Sequence, residues 1–265
     1  GFPQFTNLCS GCADQEPACR QMCPFDAIEP LAREAGIAAS APRLTAPPDV
    51  EAEGFDRPPA NFPGKLSLAI RGVGGQGNLF FGRVLTQLAF LAGYGAGNIV
   101  KGETHGMAQM GGPVISTFAC GRVHSPVLMP GSADCLIAME ISELLRPGFL
   151  ELLKKGGTVL AAKTTIVPQS LPAEAYPQVA RLKDSVGECE FIEVDVLGSA
   201  KAMGDIAGRT ANVVMLGVLS RVAPFDVIPE MFWLKALKSV NPKADLWAAN
   251  YRAFEEGRSL LQLPR

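Results

Sequence analysis

The fold of this chain is decided by the stretch Leu66-Ser-Leu-Ala-Ile70-Arg71-Gly-Val-Gly-Gly-Gln-Gly77-Asn78, in which an apolar run meets a glycine loop. After Asn78 the apolar residues recur at helical spacing, at Phe80, Phe81, Val84, Leu85, Leu88 and Leu91. Gly93 follows, at the place of a helix-terminating glycine. The stretch therefore predicts a strand, a tight turn and a helix over Asn78–Ala92.

The same alternation continues to the end of the chain. Apolar runs predict further strands at Val114–Ala119, Cys135–Met139, Thr158–Ala162 and Phe191–Val194. Helical spacing predicts helices at Ile141–Lys154, Ala207–Val222, Pro229–Ser239 and Asp245–Leu261. Strands alternating with helices indicate an α/β domain over residues 65–265, with a mainly parallel, Rossmann-like sheet covered by helices on both faces.

Composition excludes several classes of protein. The 265 residues carry a formal net charge of −2, so the basic footprint of a nucleic-acid-binding protein is absent. No run of about 18 apolar residues predicts a membrane span, and no hydrophobic leader opens the chain. We expect a cytoplasmic protein.

The first 64 residues differ in composition and apolar pattern from the α/β part. Residues 31–64 are rich in alanine and proline and show no sustained apolar period, so we interpret them as a linker, or as a strap over a partner surface. Residues 1–30 hold four of the seven cysteines: Cys9, Cys12, Cys19 and Cys23. A disulfide framework would spread its cysteines over a small secreted chain, whereas this tight group indicates a metal.

The cysteine spacing is C-x2-C-x6-C-x3-C-P, and it ends at Pro24. It resembles the bacterial ferredoxin run C-x2-C-x2-C-x3-C-P at both ends, but has four extra residues in the middle. We therefore predict a small ferredoxin-like segment whose four cysteines bind a [4Fe-4S] cluster. A zinc site and a disulfide between Cys9 and Cys12 are the alternatives. Either all four thiolates bind one cluster, or Cys23 serves a second, shared cluster.

The glycine loop satisfies the dinucleotide fingerprint G-x-G-x-x-G and lies between a strand and a helix. Its glycines would let a phosphate approach the backbone at a helix N-terminus. The candidate ligand-binding residues here are Gly72, Gly74, Gly75, Gln76 and Gly77. The fingerprint also requires an acidic residue to hold a ribose, for which Glu103 is the available candidate. A tight turn that binds nothing is the alternative.

A second polar, glycine-rich segment reads Gly102-Glu-Thr-His-Gly-Met-Ala-Gln-Met-Gly-Gly112. We interpret it as a functional loop at strand ends, with His105 as a tentative catalytic acid–base group or hydrogen-bond donor. Its other candidate ligand-binding residues are Glu103, Gly106, Gln109, Gly111 and Gly112. A solvated connection is the alternative, and His124 is interpreted as structural.

These two motifs together resemble the gamma-type subunit of 2-oxoacid:ferredoxin oxidoreductases, most closely the indolepyruvate type. Ala211-Asn-Val-Val-Met-Leu-Gly-Val-Leu219 and Asn250-Tyr-Arg-Ala-Phe-Glu-Glu-Gly257 extend the resemblance, which covers about Leu66 to Leu261. The family's gamma-type subunit usually stands without an N-terminal cluster segment. This chain departs from that pattern.

The resemblance implies a reaction and partners. Members of this family decarboxylate a 2-oxoacid on thiamine diphosphate, oxidise the product through [4Fe-4S] clusters to reduce ferredoxin, and transfer the acyl group to coenzyme A. Thiamine diphosphate and magnesium would belong to a large partner subunit, since this chain has no thiamine-binding motif. The two glycine loops would face that subunit. An NAD- or FAD-binding redox subunit and a zinc-bearing scaffold are the alternative functions.

Overall fold

The computed structural model describes residues 47–51, 53–105, 112–167, 176, 183 and 186–261, without the side chains of His105 and Asp245. The chain divides into two units, Gly1–Leu44 and Thr45–Arg265, and every described residue belongs to the second. The predicted cluster segment and the first part of the predicted linker lie outside the described residues.

The described elements alternate between strands and helices. The strands are β1 (Lys65–Val73), β2 (Ile99–His105), β3 (Pro113–Gly121), β4 (Ala133–Ala138), β5 (Leu153–Ala162) and β6 (Glu190–Val194). The helices are α1 (Asn78–Leu91), α2 (Val196–Ala202), α3 (Ala211–Leu219), α4 (Glu230–Val240) and α5 (Ala244–Leu260). No helix in this part of the chain is long and apolar enough to cross a membrane.

The described strands form one six-stranded sheet in the order β2-β3-β1-β4-β5-β6. Strands β1, β4, β5 and β6 run parallel to one another, whereas β3 pairs antiparallel with both β1 and β2. The predicted α/β class is confirmed, but the sheet is mixed. The antiparallel part arises because only seven residues separate β2 from β3, too few for the crossover that parallel neighbours need.

The two faces of the sheet are covered differently. Helices α1, α3, α4 and α5 pack on one face and bury Trp233, Phe81 and Phe254 with the inward residues of β1. The opposite face is covered, among the described residues, by the 3₁₀ turns Ile141–Leu145 and Leu150–Leu152, which contribute Leu144 and Phe149. The expectation of helices on both faces therefore holds for one face of the described domain.

The predicted helix over Ile141–Lys154 is wrong. The structure has two 3₁₀ turns there, and β5 already begins at Leu153. Pro147 disfavours the helical conformation at the preceding residue, and Gly148 adopts a positive φ of 79°. Ile141, Leu144 and Phe149 are buried without a helix, whereas Leu145 is exposed.

Residues 53–64 of the predicted linker lie against their own domain. The N–H of Phe55 donates to the carbonyl of Leu91 at the end of α1 (2.9 Å), and the Phe55 ring packs edge-on against Phe232 of α4 (5.1 Å between centroids). Phe62 is buried, and Tyr94 donates its hydroxyl to the carbonyl of Pro63 (2.6 Å). These contacts fix the path of the chain into β1.

Candidate functional site

The site lies where two neighbouring parallel strands send the chain to opposite faces of the sheet. After β1 the chain passes through the glycine loop into α1 on the helical face, whereas after β4 it enters the 3₁₀ turn Ile141–Leu145 on the other face. Open α/β sheets bind ligands at such a divergence, at the carboxyl ends of the strands. We call this edge of the sheet, bounded by the glycine loop and residues 139–146, the crevice.

The side chain of Gln76 closes the glycine loop from within. Its Oε1 accepts a hydrogen bond from the N–H of Val73 (2.7 Å), and its Nε2 donates to the carbonyl of Met139 (2.9 Å). The carboxamide thus joins the end of β1 to the residue that follows β4, across 63 positions of sequence. The N–H of Val73 therefore already has a partner within the chain.

Two glycines of the loop are required by close packing. A Cβ at Gly72 would stand 2.5 Å from Oε1 of Gln76. Gly77 has a φ of +82°, and a Cβ there would stand 2.2 Å from Nδ2 of Asn212, in the first turn of α3. Glycine is the residue that tolerates both situations. Gly72 and Gly77 therefore serve the packing of the loop.

Two buried asparagines stand at the helix starts beside the loop. Asn78 donates Nδ2 to the carbonyl of Val114 (3.3 Å), and Asn212 donates Nδ2 to the carbonyl of Gly77 (3.4 Å). Within the described domain, the Oδ1 atoms of both residues lie buried without a hydrogen-bond partner. The sequence reasoning assigned neither residue to the site, although Asn78 opens α1 directly after Gly77 and Asn212 is the second residue of α3.

The two predicted loops meet in the structure. The N–H of Gly74 donates to the carbonyl of Gly112 (2.9 Å), so the glycine loop and the end of the second motif are neighbours. The second motif begins as strand β2, which includes Glu103 and His105, and not as a loop. Gly106, Gln109 and Gly111 lie outside the described residues. The ligand roles of this set stay predictions.

Glu103 has a partner of its own. On β2 its carboxylate pairs with Lys101 (2.7 Å), and both side chains lie over Gly82 of α1. Strand β3 separates β2 from β1 in the sheet. Glu103 therefore does not lie on the parallel strand that neighbours β1 and its glycine loop. The described contacts give this residue a structural partner, and its assignment to a ribose stays a prediction.

A buried carboxylate between two arginines forms the other wall of the crevice. The side chain of Glu143 is 2% exposed. It accepts a hydrogen bond from Nε of Arg71 (3.0 Å) and forms an ion pair with Nη2 of Arg146 (2.9 Å). The Arg71 guanidinium also lies 5.5 Å from the centre of the Phe149 ring. Sequence analysis missed this cluster because Arg71 stands 72 positions before Glu143.

Glu140, just after β4, is held by neutral donors. It accepts hydrogen bonds from the N–H and hydroxyl of Ser142 (3.0 and 2.5 Å), from the N–H of Ile166 (3.2 Å) and from the hydroxyl of Tyr176. Burial raises the pKa of the Glu140 carboxyl, and the bonds from Ser142 and Ile166 oppose that shift. Glu140 therefore ties the segment after β5 to the crevice.

The predicted metal ligands Cys9, Cys12, Cys19 and Cys23 lie outside the described residues. The three cysteines within them, Cys120, Cys135 and Cys189, are free thiols. Burial raises the pKa of Cys120 to about 12, which keeps it protonated. In the described part of the chain no group of three His, Cys, Asp or Glu residues is arranged to hold a metal ion.

Comparison with known proteins decides the family. The family model for pyruvate ferredoxin/flavodoxin oxidoreductase matches residues 67–260. The chain belongs to this family. Its predicted resemblance to the gamma-type subunit is confirmed, and the chain is a subunit of a 2-oxoacid:ferredoxin oxidoreductase. The match begins after the cysteine segment and the predicted linker.

Curated relatives of this oxidoreductase subunit carry one name. The chain is 35% identical over 199 residues to indolepyruvate oxidoreductase subunit IorB of Thermococcus kodakarensis, with 73% of this chain and 94% of the relative covered. It is 35% identical over 160 residues to IorB of Archaeoglobus fulgidus, with 58% and 76% covered.

Solved structures support the same fold. The gamma subunit of a keto/oxoacid ferredoxin oxidoreductase from Geobacter sulfurreducens superposes with a TM-score of 0.52 at 20% identity, covering 73% of this chain and 96% of that one. Pyruvate oxidoreductase subunit PORC from Thermotoga maritima gives a TM-score of 0.55 at 21% identity, covering 74% and 96%. These likenesses concern the domain that contains the crevice.

Proposed function

We propose that this chain is the small subunit of a thiamine-diphosphate-dependent 2-oxoacid:ferredoxin oxidoreductase that acts on an aryl pyruvate or aryl glyoxylate. The products would be an acyl-CoA, CO2 and reduced ferredoxin. The observation that carries the proposal is the 35% identity to IorB over 94% of that relative's length. Similarity of this extent supports a common substrate class better than the fold does, because one fold hosts many activities.

The chemistry is divided between subunits. We assign thiamine diphosphate, its magnesium ion and the decarboxylation to a large partner subunit. The sequence supports this division, because this chain has no thiamine-binding motif. We assign to the joined Gly74 and Gly112 loops the role of facing the partner near the site of acyl transfer to coenzyme A.

The N-terminal segment is assigned to electron transfer. Four closely spaced thiolates are the donor set of a [4Fe-4S] cluster, so Cys9, Cys12, Cys19 and Cys23 would hold one. Such a cluster accepts and passes on single electrons, which is what reduction of ferredoxin requires. The segment would therefore relay electrons between the thiamine-bearing subunit and ferredoxin.

Elemental analysis of the anaerobically purified full chain tests the cluster. We expect about four iron and four sulfide per chain, the composition of one cubane. One zinc per chain without iron would contradict the assignment and establish the zinc-bearing alternative. Cys189→Ser is the matched control, because Cys189 is a free thiol outside the segment, and its iron content should equal that of the wild type.

Substrate class is tested on the reconstituted complex. We expect indolepyruvate, phenylpyruvate or an aryl glyoxylate to give a higher kcat/KM for ferredoxin reduction than pyruvate or 2-oxoglutarate. A preference for either of the last two would contradict the aryl assignment and leave the family assignment intact.

His105 is proposed as a catalytic or ligand-binding group of the second motif. Replacing it with alanine should lower kcat by about tenfold or more, which is the worth of one charge-assisted hydrogen bond. His124→Ala is the matched control, because His124 is exposed beyond β3. Equal turnover of the two variants would return His105 to a structural role.

An NAD- or FAD-binding subunit is the alternative function. Thermal unfolding of the assembled complex separates the two functions. A rise in the unfolding temperature with NADH, and none with coenzyme A, would favour the alternative. The pairing of Glu103 with Lys101 and the occupation of the loop by Gln76 argue against it.

A further inference from the structure

The guanidinium groups of Arg71 and Arg146 share one carboxylate, that of Glu143. Both oxygens of Glu143 are engaged. Oε2 accepts a hydrogen bond from Nε of Arg71, and Oε1 accepts one from Nε of Arg146 and pairs with its Nη2. Two positive charges against one negative charge leave this cluster with a surplus of one positive charge.

The arrangement leaves donors free at the crevice. A guanidinium has five N–H donors in a planar fork, and Arg71 spends only Nε on Glu143. Among the described residues, no oxygen accepts from Nη1 or Nη2 of Arg71, or from Nη1 of Arg146. The end-on edge of Arg71 is therefore available for a bidentate partner, the geometry that matches a carboxylate or phosphate.

The neighbouring acid, Glu140, leaves the free donors of both arginines unoccupied. Glu140 stands three residues before Glu143, but its oxygens accept from Ser142, Ile166 and Tyr176 and bond neither arginine. The side chain of Arg71 is only 16% exposed and lies over the Phe149 ring. Apolar, partly dry surroundings strengthen the attraction between a fixed guanidinium and an anion.

The position in the fold also favours a ligand. Arg71 is the last residue of β1 paired with β4, and its carbonyl accepts from the N–H of Met139, whose own carbonyl accepts from Gln76. Arg71 therefore stands near the end of β1, and Arg146 directly follows the 3₁₀ turn Ile141–Leu145, so both flank the switch point of the sheet, where ligands of open α/β sheets bind.

We propose that Arg71 and Arg146, oriented by Glu143, form a binding site for a small-molecule oxyanion, a phosphate or carboxylate group, at the carboxyl edge of the sheet. Glu143 is a positioning residue: it fixes both guanidiniums and leaves their remaining donors toward the crevice. The site is a property of this chain and does not depend on the reaction proposed above.

The test is titration of the full-length chain with inorganic phosphate, pyrophosphate and phenylpyruvate at constant ionic strength, followed by calorimetry and by the arginine side-chain NMR signals. We expect saturable binding of at least one probe, weakened about tenfold or more in Arg71→Gln and several-fold in Arg146→Gln. Arg83→Gln removes the same charge from an exposed position on α1 and should bind as the wild type does. The three probes distinguish a phosphate from a carboxylate ligand.

Arg146→Gln keeps the test decisive if Arg71→Gln fails to fold, because Glu143 then retains Arg71. The proposal is overturned if no probe binds saturably, or if Arg83→Gln weakens binding as much as Arg146→Gln. It is also overturned if Arg146→Gln loosens the complex with the large subunit while no probe binds the free chain. That result would assign the arginines to an acidic side chain of the partner.

Discussion

Single residues explain why the glycine loop holds one conformation. Gln76 satisfies a backbone donor and a backbone acceptor that belong to two different strand ends. Gln76→Ala leaves both groups without their partner and should lower the free energy of unfolding by about 1–3 kcal/mol. Urea denaturation measures this loss. Gln87→Ala on the exposed side of α1 is the control and should change stability little; equal losses would contradict the bridging role.

The pH dependence of stability should report Glu140. Burial raises the pKa of its carboxyl above the ordinary 4.5, so the folded state holds the proton more tightly than the unfolded state. The stability that Glu140 contributes is fully present below the pKa of the carboxyl in the unfolded state. It is lost as the pH rises through the raised pKa of the folded state. As the pH rises above the ordinary 4.5, the wild type should therefore lose stability relative to Glu140→Gln. Parallel curves in urea denaturation would contradict this.

At the scale of elements, the contact between α3 and α5 depends on two glycines. A Cβ at Gly257 would stand 1.9 Å from the carbonyl oxygen of Val214, and one at Gly217 would stand 2.1 Å from that of Phe254. Gly257→Ala should therefore separate the helices and cost about 2–3 kcal/mol, more than the gain in helix propensity. Thermal unfolding measures it. Gly97→Ala, which meets no atom within 4 Å, is the control.

The elements also show what the sequence could predict. Helix α1 was predicted because its apolar period is long and begins after a glycine turn. Strand β2 was missed because an edge strand bearing Gly102, Glu103 and His105 looks like a polar loop. The predicted helix at Ile141–Lys154 failed because burial of Leu144 and Phe149 does not require a helix once Pro147 interrupts it. Sequence reasoning named candidate site residues only within motifs whose residues are close together in the sequence.

At the scale of the whole molecule, the chain joins a family domain to a segment outside the family match. The domain over residues 67–260 carries the relationship to the oxidoreductase subunits, and the four N-terminal cysteines precede it. Two contacts in the crevice were not predicted from the sequence: Arg71 with Glu143 and Gln76 with Met139 join distant positions. No local pattern encodes such contacts, whereas the cysteine spacing is local.

We propose that this subunit relays electrons from a 2-oxoacid to ferredoxin through its N-terminal cysteines. The most direct measurement is the rate of 2-oxoacid-dependent ferredoxin reduction by the complete complex containing wild-type, Cys12→Ser or Cys189→Ser chain. We predict that Cys12→Ser abolishes ferredoxin reduction while the complex still assembles, and that Cys189→Ser retains the wild-type rate. Full activity of an assembled Cys12→Ser complex would contradict the account.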